Sequence, residues 1–316
     1  MAATILDGKQ LARTIREELR DDVAEFIENN AETPTLAAVL VGNDPASEVY
    51  VRNKITGCDQ VGLNSRMFRL PAETSQDELL ELVARLNKAK DEPVHGILVQ
   101  LPLPAHIDTS RVLQAVSPLK DVDGFHPVNV GFLSTQRPGL VPCTPAGVFE
   151  ILKRSNIPIA GREAVVVGRS DIVGKPAAML LLNANATVTV CHSKTHDLPG
   201  VCRRADILVA AIGRSGMITR DFVKPGATVI DVGMNTITDP AEFQRFFAGN
   251  AKREEAFRKK GSTLIGDVHP EVAAIAGALT PVPGGVGPLT IAMLMFNTVK
   301  AAKMRRGNRV PELSRV

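Results

Sequence analysis

The sequence predicts an α/β protein with two α/β domains, the second built on a doubly wound parallel sheet. Three observations predict this. Short apolar runs rich in Val and Ile alternate with helix-length amphipathic segments from end to end, the pattern of parallel sheets crossed by helices. The 316 residues exceed what one core holds, because single cores stop growing at roughly 250 to 300 residues. In the second half, a strand candidate runs directly into Gly168-Arg169-Ser170 and a helix start, as in dinucleotide-binding sheets.

Taken in order, Thr4-Ile5-Leu6 opens onto a helix whose Leu11, Ile15, Leu19 and Val23 fall at helical spacing. Leu36 to Val41 is an apolar strand ending in the turn Gly42-Asn43-Asp44-Pro45. Asp44 or Ser47 then caps a helix carrying Tyr50 and Lys54. Ser75-Gln76-Asp77-Glu78 is a capping box ahead of Leu79, Leu82, Val83 and Leu86. Val94 to Leu101 is a buried strand, and Pro102 and Pro104 turn the chain after it. Pro142-Cys143-Thr144-Pro145 is a linker and helix start, with Thr144 as N-cap and Pro145 at the first helical position. Four strands follow at Ala164 to Val167, Thr187 to Val190, Ile207 to Ala211 and Thr228 to Val232, a Rossmann-type layout. A final apolar helix runs from about Leu289 to Lys303, and the tail after Arg305 is polar.

Composition narrows the function. Hydrophobic residues at 44% and charged residues at 22% describe an ordinary globule. The 37 basic against 34 acidic residues leave a net +3, too little for a nucleic-acid surface. Cys58, Cys143, Cys191 and Cys202 form no C-x-x-C pair and read as reduced thiols of a cytoplasmic protein. No secretory signal and no apolar run of roughly 18 residues is seen, so no membrane association is expected. The six histidines show no ligand spacing with a supporting carboxylate, so no metal is expected.

Five stretches carry the chemistry. Tyr50-Val51-Arg52-Asn53-Lys54 puts a phenol and an amine on one helix face. A lysine that trades protons needs burial or neighbouring cations to do so near neutral pH. Val94 to Pro104 ends a strand at Gln100, on the edge where open α/β sheets bind ligands. Lys120-Asp121-Val122-Asp123-Gly124-Phe125 is an acidic turn. Thr280-Pro281-Val282-Pro283-Gly284-Gly285-Val286-Gly287-Pro288 is a loop almost free of side chains that admits a ligand close to its backbone. Val165 to Pro176 is the phosphate-loop candidate, although its spacing is not G-x-G-x-x-G. About twenty residues on, an NAD site places a carboxylate for the ribose; this chain has Cys191-His192-Ser193-Lys194-Thr195 and no carboxylate before Asp197. Hydroxyl and basic groups, with Arg169, suit a 2′-phosphate, so NADP is the expected cofactor. Short-chain dehydrogenases also use Tyr-x-x-x-Lys, but they place it after the cofactor loop, the reverse of the order here.

Taken in chain order, these stretches resemble the bifunctional methylenetetrahydrofolate dehydrogenase/cyclohydrolase family, from about Ile5 to Lys303. The resemblance implies a folate-binding catalytic domain over 1–142 and 283–316, its last helix returning to it, and an NADP-binding domain over 143–282. It implies NADP-dependent oxidation of 5,10-methylenetetrahydrofolate, then hydrolysis to 10-formyltetrahydrofolate. Lys54 is the implied proton carrier, Gln100 its tuning partner, and Tyr50 a catalytic residue that also positions the folate. Asp123, rather than Asp121, would hold the pterin while Asp121 supports the turn; Gly284, Gly285 and Val286 close over the substrate. Gly168, Arg169, Ser170 and Ser193 would carry the nucleotide, and Met234, where the family often has Ile, its nicotinamide end. A homodimer is implied as well. Thr236 to Gly261 fits the family least. Phe243, Phe246, Phe247 and Phe257 predict an inserted helix or helix pair, with Lys252, Arg253, Arg258, Lys259 and Lys260 on its solvated outer face.

Overall fold

A computed structural model describes residues 3–89 and 93–307, so the polar tail lies outside the described residues from 308 onward. The elements begin with β1 (Thr4–Ile5), α1 (Gly8–Asn30), β2 (Thr35–Val41), α2 (Pro45–Val61), β3 (Asn64–Leu70), α3 (Gln76–Lys88) and β4 (Gly96–Val99). Then come α4 (Thr109–Ala115), α5 (Pro127–Ser134), α6 (Cys143–Arg154), β5 (Glu163–Val167), α7 (Gly174–Asn183), β6 (Thr187–Cys191) and α8 (Leu198–Cys202). The chain finishes through β7 (Ile207–Ala210), β8 (Thr228–Asp231), β9 (Asn235–Ile237), α9 (Pro240–Phe247), α10 (Ala251–Lys260), β10 (Thr263–Ile265), β11 (Ala278–Leu279) and α11 (Val286–Arg306).

Two compact units result, one from residues 3–11 with Gly147–Leu289, the other from Ala12–Ala146 with residues 290–307. The chain crosses between the units at 11/12, 146/147 and 289/290. β1 hydrogen-bonds in parallel to β11, so the first residues belong to the larger sheet. Helix α11 starts in that unit and runs on into the other, the return expected of the C-terminal helix.

The unit with the larger sheet, called the larger unit in that sense, holds six strands in the order β1-β11-β8-β7-β5-β6, with every neighbouring pair parallel. From β5 the chain steps outward to β6, then returns past β5 to β7 and β8. That reversal between β5 and β7 is the switch point at which such sheets bind ligands. Val165, Val167, Leu208, Ala210 and Val229 form its core with Cys191, Cys202 and Val272.

The smaller unit holds a parallel sheet in the order β3-β2-β4. All seven residues of β2 are buried, as a central strand covered on both faces requires. Asp44, not Ser47, caps α2, accepting from Ser47 N at 2.8 Å. The Ser75–Glu78 capping box starts α3, whose Leu79, Leu82, Val83 and Leu86 pack on Ala37, Val39 and Ile97. The expected N-cap at Thr144 is corrected: α6 already starts at Cys143, because the Pro142 carbonyl accepts from Ala146 N at 2.9 Å. Thr144 sits in the first turn, its hydroxyl 3.0 Å from that of Thr290. Among the described residues, no helix is long and apolar enough to cross a membrane.

A buried histidine ties this unit together. His95 Nδ1 accepts from Thr35 N at 3.1 Å, so the proton of the neutral ring sits on Nε2, 3.2 Å from Glu32 Oε1. Burial pushes this imidazole from 6.5 down to about 4; Glu32 opposes that shift, while Arg305, Lys120 and Arg306 reinforce it. The fold therefore prefers neutral His95, and its contribution is complete above about pH 6.5 and lost as pH falls toward 4. Urea midpoints of the unmodified protein should drop over that window, and His95→Asn should flatten the drop. An equal acid slope in the variant would assign it elsewhere.

Candidate active site

Helix α2 places Tyr50 and Lys54 one turn apart on one face. Lys54 Nζ donates to Gln100 Oε1 at 3.0 Å. Gln100 follows β4 directly, and its main-chain N–H donates to Val39 O at 2.9 Å. Its Nε2 donates to Leu101 O at 2.6 Å. With the amide nitrogen engaged, the oxygen is what the amine meets. Tyr50 is 38% exposed, and burial raises its phenol, so it stays protonated at neutral pH.

Asp123 belongs to the same unit. Burial pushes its carboxyl up to about 6, against the pull of nearby Lys54 and with a push from Asp121. The residue keeps some accessible surface although the carboxyl lies deep, and among the described residues no group hydrogen-bonds that carboxyl. Asp121 is instead consumed by the turn, accepting from Phe125 N (3.2 Å), His126 N (2.8 Å) and Asn129 Nδ2 (2.9 Å). Gly124 has φ +72°, and a Cβ there would lie 2.5 Å from Pro142 N, so only glycine closes the turn. Asn297 Nδ2 on α11 donates to Val122 O (2.7 Å) and Val141 O (2.8 Å), fixing the backbone beside Asp123. The sequence reading missed Asn297, although an asparagine inside so apolar a helix is itself a signal.

The glycine-rich loop lies in the larger unit. Lys9 N donates to Gly284 O at 3.1 Å, and a Cβ on Gly8 would lie 1.8 Å from Gly285 O. Val286 is the first, buried residue of α11, with Pro288 in its first turn. The peptides Leu101–Pro102 and Val282–Pro283 are cis.

The same unit carries the nucleotide-site candidates. Gly168 has φ +128°, and a Cβ there would meet Ala211 O at 2.0 Å, so β5 and β7 approach closely at the switch point. Ser170 Oγ accepts from Val173 N (3.2 Å) and Gly174 N (3.3 Å), shaping the N-terminus of α7. Arg169, Ser170 and Ser193 are exposed, and Met234 is 45% exposed. Asp197, the first carboxylate after β6, is occupied in capping α8 through Gly200 N at 3.1 Å. These residues fit a dinucleotide, with helix amides and Arg169 for its phosphates.

Two buried carboxylates that the sequence reading passed over build the loops after β7 and β8. Asp267 accepts from Ile212 N (2.5 Å), Gly213 N (2.8 Å), Arg214 N (2.8 Å) and Asn235 Nδ2 (3.0 Å). Asp231 accepts from Gly233 N (2.9 Å), Asp267 N (2.8 Å) and Val268 N (3.0 Å), and burial pushes it up to about 7. Acidic residues at the ends of apolar strands were the available signal. Among the described residues, no group of three or more His, Cys, Asp or Glu could hold a metal ion.

Comparison with known proteins follows this division. The catalytic-domain model of tetrahydrofolate dehydrogenase/cyclohydrolase matches residues 6–123, and the NAD(P)-binding-domain model of the same family matches 142–306. The chain belongs to the tetrahydrofolate dehydrogenase/cyclohydrolase family. The bifunctional protein FolD of Koribacter versatilis is 68% identical over 310 residues, covering 98% of this chain and 100% of that one. Among solved structures, the Campylobacter jejuni bifunctional enzyme FolD, a methylenetetrahydrofolate dehydrogenase/cyclohydrolase, superposes with a TM-score of 0.86. It is 44% identical, covering 96% of this chain and 100% of that one. The Trypanosoma brucei enzyme, solved with NADP and an inhibitor, gives a TM-score of 0.85 at 39% identity, covering 97% and 99%. In this family member, Tyr50, Lys54, Gln100 and Asp123 share the smaller unit. Gly168, Arg169, Ser170, Ser193, Met234 and the Gly284–Gly285–Val286 loop share the larger, NAD(P)-binding one.

Proposed function

We propose that this chain oxidises 5,10-methylenetetrahydrofolate with NADP and hydrolyses the methenyl product to 10-formyltetrahydrofolate. The observation carrying this reading is the 3.0 Å hydrogen bond from Lys54 to Gln100, an oriented amine at the ligand edge of the sheet. Asp123 holds the pterin through its adjacent N–H donors, and Tyr50 positions the ring system. The chain's task in oxidation is orientation, since the methenyl cation is stabilised by its own flanking nitrogens. Bound at the loop after β5, NADP supplies the hydride acceptor. In hydrolysis, water adds to the cationic carbon, and the C–N bond to the pterin side breaks as that nitrogen gains a proton. Lys54 carries the protons of both events, and Gln100 holds the amine in place. The Gly284–Val286 loop supplies backbone contacts to the folate. The enzyme works as a cytoplasmic homodimer, a reading supported by family membership and by four buried free cysteines.

An absorbance assay tests the reading by following methenyltetrahydrofolate as it forms and then decays. NADP should be used far better than NAD, since the first carboxylate after β6, Asp197, is tied to its helix. Ser193→Asp should narrow the gap by repelling the 2′-phosphate. Equal efficiency with both cofactors in the unmodified enzyme would overturn the cofactor assignment.

A further inference from the structure

The segment between β9 and β10 is the expected helix pair, but one residue predicted for its outer face turns inward. β9 and β10 pair antiparallel, and α9 and α10 rise from the end of this hairpin. Phe243, Phe246 and Phe247 are buried with Ile237 and Ile265, and Phe257 stacks on Phe243 at 4.4 Å between ring centres. Lys252, Arg258, Lys259 and Lys260 are exposed, as expected, but Arg253 is not on the outer face. It turns inward, its guanidinium 4.6 Å from the Phe247 ring centre. Its Nη1 donates to Thr263 Oγ1 (3.1 Å) and Leu264 O (2.8 Å). Its Nη2 donates to Val282 O at 2.6 Å.

That last acceptor matters most. Val282 lies in the glycine-rich loop, two residues before Gly284, whose own carbonyl is held by Lys9 N. The loop is thus clamped from two sides, once by main chain and once by a half-buried cation from the insertion. No residue of α10 is fully buried, so the helix is anchored by Arg253 and Phe257 rather than by a core face of its own. A planar fork reaching three acceptors fits this task, and a lysine's single point charge does not.

We propose that Arg253, presented by the inserted helices, is a positioning residue that sets the conformation of the Pro281–Val286 loop and thereby the affinity for folate. The proposal rests on the reading that this loop contacts the folate. Arg253→Met and Arg253→Lys test it in the cyclohydrolase assay, where methenyltetrahydrofolate is the substrate and no NADP is present. Loss of a charge-assisted hydrogen bond to the loop should raise the folate KM about tenfold in Arg253→Met, with little change in kcat. Arg253→Lys should fall between, and the KM for NADP in the dehydrogenase assay should stay within about twofold. Hydrogen exchange of the unliganded protein gives a readout that needs no activity: the amides of 284–287 should exchange faster in the same rank order. Unchanged exchange, an unchanged folate KM, or folate and NADP KM rising in parallel would each overturn the proposal. An unmodified protein that turns over neither folate would instead overturn the functional reading, while the exchange measurement still decides whether Arg253 holds the loop.

Discussion

Lys54→Met should still reduce NADP but accumulate methenyltetrahydrofolate instead of passing it on. Methionine keeps the length and apolar stem of the side chain and deletes only the amine that donates to Gln100. Hydride departure leaves a cation stabilised by the substrate itself, so the first reaction loses orientation at most. Water addition and ring opening need proton transfer, and positioned acid-base groups contribute about 10² to 10⁴-fold. Cyclohydrolase turnover should fall by that order when purified methenyltetrahydrofolate is the substrate. Gln100→Ala should give a related, less clean defect, since the amine remains but its acceptor is gone. Normal cyclohydrolase turnover in Lys54→Met would remove Lys54 from the mechanism.

Asp123→Ala should weaken both activities together, because both draw on one pterin site. Removing one partner of a buried, charge-assisted pair costs about 2 to 5 kcal/mol. The pH dependence gives a second signature. With the carboxyl pushed up to about 6, folate affinity should fall as pH drops through that value, where the acceptor becomes protonated. Deleting the Lys54 charge, which pulls the group down, should move that fall to higher pH. For the unliganded fold the sign is opposite. A raised carboxyl lends stability below 3.8 that is lost as pH rises through about 6. Asp123→Ala should therefore melt no lower than the unmodified enzyme at pH 7.5 while binding folate poorly. Unchanged folate affinity would reduce Asp123 to a turn residue; a collapse in melting temperature would assign the loss to the fold.

Most strands visible in the sequence were those whose burial is continuous, with β6, a partly exposed edge strand, the exception. The runs at β2, β5, β7 and β8 are buried throughout or nearly so and read directly as apolar segments. β3 escaped because it pairs only with β2 and reads Asn-Ser-Arg-Met-Phe-Arg-Leu, an edge strand with partly exposed residues all along it. β1 and β11 are two residues long, too short for any period, and their pairing places the N-terminus where a linear reading could not. The site behaved likewise. Tyr50 and Lys54 were legible because one helix sets their spacing. Gln100 was legible because a strand end is an address. Asn297, Arg253 and Asp267 act through backbone groups far away in sequence, so even where the residue type stood out its partner could not be read from side-chain patterns.

The loops after β7 and β8 take their shape from Asp267 and Asp231, which bind main-chain amides at 212–214 and 233 and the Asn235 side chain. Their course is therefore dictated from outside, by anchors whose grip ignores which side chain the held residue bears. At Arg214 the group held is the amide, so a change of side chain there leaves that anchor in place. A lineage can therefore change what this ledge presents one substitution at a time, without rebuilding the ledge itself.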